Sequence, residues 1–166
     1  MNYAKIRKFD VSNGPGVRTT LFVSGCTNNC KGCFNSELQD FNYGNKWSKE
    51  IEDDFIKQVL SSNIVGVNIL GGEPMEQIKD SDLPNLLKRI KKETNKSIWL
   101  WSGYLYEDIL KCNLKKEILK YVDVLIDGKF ELEKRDLSLK YRGSVNQRVI
   151  DVIKSKEANK IIEIEV

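Results

Sequence analysis

The run Cys26-Thr27-Asn28-Asn29-Cys30-Lys31-Gly32-Cys33 puts three thiols within eight residues and constrains this chain more than any other feature. In a reducing compartment, thiols so closely spaced are metal ligands or catalysts rather than disulfide partners. Four cysteines close a structural metal site. Three on one loop can hold three irons of a 4Fe-4S cube and leave the fourth iron open to a small molecule. The remaining cysteine, Cys112, stands alone in an amphipathic stretch and reads as a structural residue.

The chain contains no histidine, which removes Ser-His-Asp and Cys-His nucleophile schemes, His-bearing zinc fingers and HExxH metalloproteases together. Chemistry must therefore come from a cofactor, carboxylates, Lys or Arg, or thiolate. The 27 basic residues are interspersed with 24 acidic ones, a net charge of +3 with no basic stripe, so nucleic acid is not an expected partner. The N-terminal residues lack the apolar run of a secretory signal and no segment is apolar enough to span a bilayer, so a soluble, cytoplasmic protein without a membrane partner is expected. At 166 residues the chain suits one compact domain spanning 1–166.

Apolar runs alternate with amphipathic ones. Strands are predicted at Thr19–Val23, Ile64–Leu70, Ile98–Trp101 and Val122–Ile126, with further strands at Val149–Val152 and Ile161–Val166. Between them, Ser48 can cap a helix with an acidic first turn and an apolar face of Ile51, Phe55, Ile56, Val59 and Leu60. A second helix starts near Pro84 and buries Leu83, Leu86, Leu87 and Ile90; a third runs over Tyr106–Tyr121. Helices between buried strands favour right-handed βαβ units and a parallel sheet. The cysteine loop, Gly71-Gly72-Glu73-Pro74, Ser102-Gly103 and Asp127-Gly128-Lys129 each follow the carboxyl end of a predicted strand, the rim where parallel α/β folds place their ligands.

Taken singly, these loops have plain alternatives. The cysteine trio with Cys112 could be a zinc knuckle, Gly71–Pro74 a tight strand-to-helix turn, and Asp127 with Lys129 an exposed pair. Taken together, they carry a resemblance. CxxxCxxC after a first strand resembles the radical S-adenosylmethionine (SAM) superfamily. The string Asn13-Gly14-Pro15-Gly16-Val17-Arg18 … Leu21-Phe22-Val23-Ser24-Gly25-Cys26 … Cys33-Phe34-Asn35 resembles its glycyl-radical activating branch. Within that branch, Leu70–Pro74, Trp99–Tyr104, Ile126–Phe130 and Tyr141–Gln147 are similar to the activating proteins of anaerobic ribonucleoside-triphosphate reductase.

The resemblance implies a partial, splayed parallel α/β barrel of about six strands, of the radical SAM type. It implies a 4Fe-4S cluster on Cys26, Cys30 and Cys33 whose fourth iron takes SAM. Around SAM it implies Gly32 and Phe34 at the adenine, Gly71, Gly72 and Glu73 at the amino group, Ser102 near the ribose, and Asp127 and Lys129 at the carboxylate. Many superfamily members carry an aromatic just before the third cysteine. Here that position is Gly32 and the aromatic is Phe34, as in this subfamily. Asn13, Gly14, Gly16 and Arg18 would frame the mouth through which a partner's loop enters; Arg142, Asn146 and Gln147 match without an assigned role. The implied reaction is reductive cleavage of SAM to a 5′-deoxyadenosyl radical that takes hydrogen from a glycine of the partner reductase. With no cysteines for further clusters, a flavodoxin- or ferredoxin-type donor would supply electrons. The residues alone also admit a small radical SAM enzyme acting on a metabolite, an electron carrier, or a zinc-braced interaction module.

Overall fold

In the computed structural model, which describes residues 1–166, four of the apolar runs form the parallel centre of one sheet. These are β2 (Arg18–Val23), β4 (Gly66–Gly71), β5 (Ser97–Ser102) and β6 (Val124–Asp127). Antiparallel strands flank them: β1 (Asn2–Asp10) and a two-residue β3 (Asn45–Lys46) on one side, β7 (Arg148–Asp151) on the other. The spatial order is β3-β1-β2-β4-β5-β6-β7, an open mixed sheet rather than the wholly parallel one expected.

Each departure has a local cause. β1 is absent from the sequence reading because its apolar residues Tyr3, Ile6 and Phe9 recur every three residues, not every two. Irregular pairing with β2 between Tyr3 and Lys5 and between Arg7 and Asp10 supplies the extra residues, as bulges do. The expected strand over Ile161–Val166 is reduced to one isolated bridge, Ile150 with Glu163, flanked by two bonds along the outer edge of β7. β7 runs antiparallel because the chain between β6 and β7 contains only one three-residue helical turn, Leu132–Lys134. With no helix to carry it to the other end of the sheet, it returns from the same rim.

The helices are α1 (Lys49–Val59), α2 (Asp82–Glu93), α3 (Tyr106–Lys111), α4 (Asn113–Ile118) and α5 (Val152–Ala158). Ser48 caps α1 by accepting a bond from the Ile51 amide, and Glu50 and Glu52 occupy its first turn. The third predicted helix is two, broken at Cys112, whose extended backbone ends α3 and starts α4. Cys112 and Asn113 are both weak helix formers.

Side chains alternate along each strand, so the sheet sorts its residues by face. Leu21, Val23, Val67, Ile69, Ile98, Leu100 and Leu125 pack against Phe55, Ile56 and Val59 of α1, Leu83, Leu86, Leu87 and Ile90 of α2, Ile109 of α3, Ile118 of α4 and Val152 of α5. All five helices thus lie on one face, and burying each aliphatic side chain there stabilises the fold by about 1.5–3 kcal/mol. The opposite face carries Phe22, Asn68, Leu70, Trp99, Trp101, Val124, Ile126 and Val149, with no helix over it. No helix is long and apolar enough to cross a membrane.

Candidate functional site

On the helix-free face lies a cavity of about 490 Å³, and all four rim loops border it. Parallel register accounts for the convergence. Val23 pairs with Gly71, and Ser102 pairs with Asp127, so the ends of β2 and β4, and of β5 and β6, are level and release their loops on one side.

Cys26, Cys30 and Cys33 all line this cavity, partly exposed and unpaired as free thiols. Burial pushes the Cys26 thiol up to about 11, assisted by the nearby Glu73 and Glu76 charges. Burial also raises Cys30. Metal binding must therefore expel thiol protons. No three Cys, Asp or Glu side chains close on a point as ligands of one ion would. Three soft thiols lining one cavity are a donor set suited to an iron-sulfur cluster, in which each cysteine meets a different iron.

The Gly71-Gly72 turn is packed tightly into the base of the cysteine loop. Gly71 has φ +110°, and a Cβ there would lie 2.7 Å from the Val23 carbonyl oxygen. At Gly72 a Cβ would come within 2.5 Å of the Gly25 carbonyl oxygen. Both residues border the cavity.

Glu73 and Ser102 also border it, but their polar atoms are occupied. Glu73 is buried and accepts from Asn28 Nδ2 (2.8 Å), Ser102 Oγ (2.8 Å) and the amides of Met75 (2.9 Å) and Gly103 (2.7 Å). Burial pushes its carboxyl above the ordinary range while these four donors pull it back. A side-chain contact from Glu73 to a ligand is thus excluded by its protein partners.

Asp127 does not reach the cavity. Its fully buried carboxylate takes the Arg148 guanidinium (3.0 and 2.5 Å) and the Tyr106 amide at the start of α3 (2.8 Å). Two residues on, Lys129 does reach it; the ammonium is exposed and makes no ion pair. Phe34 forms part of the wall, packed on Phe130 with ring centroids 4.9 Å apart and with the Arg135 guanidinium 5.3 Å from its centre. Gly32 faces away, toward Leu132.

Of the four residues expected at the mouth, Asn13 alone lines the cavity, beside Ser12. Asn13 is held by Asp10, whose carboxylate also accepts from the Thr20 hydroxyl and the Ser12 amide. Arg18 corrects the expectation most sharply, being buried inside the sheet. It donates to Asn68 Oδ1 (2.6 Å), to the carbonyls of Val67 and Ser97 and to the Ser97 hydroxyl, with Trp99 stacked 5.2 Å away. Burial lowers its pKa to about 10, so it stays charged at neutral pH. Gly14 lies against the Arg18 side chain and Gly16 against Val65.

The residues without an assigned role fold the β6–β7 loop back over the site. Gln147 bonds the Gly128 carbonyl and receives the Gly143 and Ser144 amides, Asn146 bonds the Lys129 carbonyl, and Arg142 bonds the Gln147 carbonyl. The loop thereby sets Leu137, Leu139 and Tyr141 along the cavity.

Residues 12–150 match the model of a family described as a 4Fe-4S single cluster domain. An anaerobic ribonucleoside-triphosphate reductase-activating protein of Vibrio cholerae is 41% identical over 150 residues, covering 89% of this chain and 96% of that protein. The chain belongs to the family of anaerobic ribonucleoside-triphosphate reductase-activating proteins. Family members of the same name from Haemophilus influenzae and Escherichia coli are 41% and 38% identical, over 89% and 90% of this chain and 96% and 97% of their own. The family match encloses every loop that lines the cavity, since all of them fall between Ser12 and Gln147.

Sequence reasoning missed Thr27, Asn28 and Glu76. Glu76 accepts from the Thr27 amide and hydroxyl and from the Tyr104 hydroxyl. The available signal was the pair of glutamates three apart around Pro74, too short a pattern to stand out by itself.

Proposed function

We propose that this chain activates an anaerobic ribonucleoside-triphosphate reductase by reductive cleavage of SAM, with Cys26, Cys30 and Cys33 holding the 4Fe-4S cluster that drives it. The observation that carries this reading is the convergence of three free thiols and the Gly71-Gly72 turn on one cavity, in a chain of the activating family. When bound, a reduced cluster of this kind supplies one electron to the sulfonium of SAM, releasing methionine and leaving a 5′-deoxyadenosyl radical that takes hydrogen from a glycine of the reductase.

The chain's own residues hold the reactants. Gly71 and Gly72, seated tightly against the Val23 and Gly25 backbone, border the cavity where the amino end of SAM would lie. The unpaired Lys129 ammonium suits its carboxylate, and Phe34 supplies an apolar wall for the adenine. Asp127 acts from beneath, fixing the end of β6 through Arg148 and Tyr106 so that Gly128 and Lys129 face inward. Leu137, Leu139 and Tyr141 add apolar surface to the cavity wall, and the side bordered by Ser12 and Asn13 admits the partner's loop.

The sheet is read as an arc of the radical SAM barrel. All helices lie on one side and the parallel strands advance in order, β2-β4-β5-β6, as in a singly wound barrel. The single domain spans 1–166 and works in the cytoplasm, away from nucleic acid and membranes, with electrons from a flavodoxin- or ferredoxin-type protein. Anaerobic reconstitution followed by reductant and SAM tests the chemistry. Methionine and 5′-deoxyadenosine in equal amounts are expected, and a reduced, cluster-loaded protein that forms neither overturns the reading.

A further inference from the structure

Between Cys26 and Cys33 the chain has almost no backbone framework. The backbone–backbone bonds that reach this run are Cys26 N to the Gln39 carbonyl (3.1 Å) and Cys33 N to the Cys30 carbonyl (3.2 Å). Thr27, Asn28 and Asn29, which set the distance from Cys26 to Cys30, make none, and Asn29 sits at φ +49°. A segment so bare would sample many shapes, and ordering it carries a conformational-entropy cost.

Two carboxylates from one short turn hold it instead. Glu73 caps the short helical turn Pro74–Glu76, and Glu76 ends it. Glu73 grips Asn28 through Nδ2 at 2.8 Å, while its other bonds anchor it to Ser102, Gly103 and Met75. Glu76 grips Thr27 through the amide (2.8 Å) and the hydroxyl (2.5 Å). The Tyr104 hydroxyl steadies Glu76 from behind at 2.9 Å, with the Lys115 ammonium over the Tyr104 ring. Consecutive residues of the cysteine loop are thus tied to the ends of β4 and β5. Hydrogen bonds to charged acceptors are about twice as strong as neutral ones.

We infer that Glu73 and Glu76 are positioning residues forming a two-armed clamp, which shapes the Cys26–Cys30 segment for the cluster before the cluster is bound. This rests on the reading that Cys26, Cys30 and Cys33 are the ligands. It gives the Gly-Gly-Glu-Pro turn and its trailing Glu76 a second task besides bordering the cavity.

Glu76→Gln tests one arm with little change of shape. Because Glu73 is buried, its arm is tested from the other end by Asn28→Ala. Iron and sulfide per chain are measured after reconstitution at limiting iron, together with the EPR spectrum of the reduced cluster with and without SAM and the thermal midpoint of the metal-free protein. The expected result is a several-fold lower cluster yield and an altered EPR spectrum in both variants, with the metal-free midpoint within a few degrees of wild type. Thr27→Ala removes only the hydroxyl bond, so combined with Glu76→Gln it should lower the yield by less than the product of the two separate effects; fully independent effects would count against a shared tie. Cluster yield and spectra equal to wild type in Glu76→Gln and Asn28→Ala overturn the clamp alone, as does loss of yield that only tracks loss of metal-free stability. A wild-type protein that takes up no iron and sulfide overturns the ligand reading and the clamp with it.

Discussion

On the helix-covered face of the sheet, Leu21, Val67, Ile69 and Leu100 meet Ile56, Leu83, Leu87 and Ile90 with no charged group among them. On the other face, the buried set includes Arg18, Thr20 and Asn68, with Glu73 in the rim loop beyond β4, each held by hydrogen bonds. One face is ordered by exclusion of water and tolerates any residues of suitable size and pattern. The other is ordered by particular donor–acceptor pairs, whose loss leaves a buried polar group unmatched. The first therefore governs whether the chain folds, and the second how the cavity is shaped.

Substitutions should separate the two. The largest effect is expected at the thiols: Cys26→Ala, Cys30→Ala or Cys33→Ala each abolish the cluster, whereas Cys112→Ser, outside the cavity, keeps it. Iron and sulfide analysis with absorption spectra decides this, and full occupancy in Cys33→Ala would remove it from the ligand set. On the helix face, Leu87→Ala should cost about 3 kcal/mol in urea denaturation, yet leave the cluster per folded chain unchanged. If cluster occupancy fell with it, the two faces would not be independent.

Asp127 and Lys129, two residues apart at the end of β6, sharpen the contrast. Asp127→Asn, at a buried ion pair, should destabilise by about 2–3 kcal/mol. Lys129→Ala should leave stability alone and weaken SAM binding about tenfold, ~1.4 kcal/mol, by calorimetry. Equal stability losses in both would contradict their separation.

The smallest effect concerns Asp10. Burial raises its pKa, but the bonds from Asn13, Thr20 and Ser12 and the Arg7 charge outweigh this and hold it below the usual value. A depressed carboxylate contributes stability above its unfolded pKa of about 3.9 and loses that contribution as pH falls through the lower folded value. The stability gap between wild type and Asp10→Asn should therefore shrink on acidification below about pH 4. A gap independent of pH would show that Asp10 does not act through its charge.

The two faces also differed in legibility. Period-two and helical patterns carry the apolar face directly, so the parallel strands and the buried residues of α1 and α2 follow from spacing. The polar face and the rim loops are made by contacts across long sequence gaps: Arg18 with Ser97 in the sheet, Thr27 with Glu76 and Asp127 with Arg148 at the rim. Such bonds leave no local trace, which is why Asp127 and Arg18 read as cavity residues from their motifs and proved internal. β1 was hidden because its bulges spoil the alternation, and β7's direction because a connection's path depends on whether it folds into a helix.

The task proposed for the cavity is to place a radical on a partner protein. The direct measurement mixes the reduced, cluster-loaded protein with SAM and anaerobic ribonucleoside-triphosphate reductase and records the EPR spectrum, with Cys33→Ala as control. A glycyl-radical doublet on the reductase, lost in the control, is expected. A fully reduced cluster that cleaves SAM but yields no doublet would contradict it.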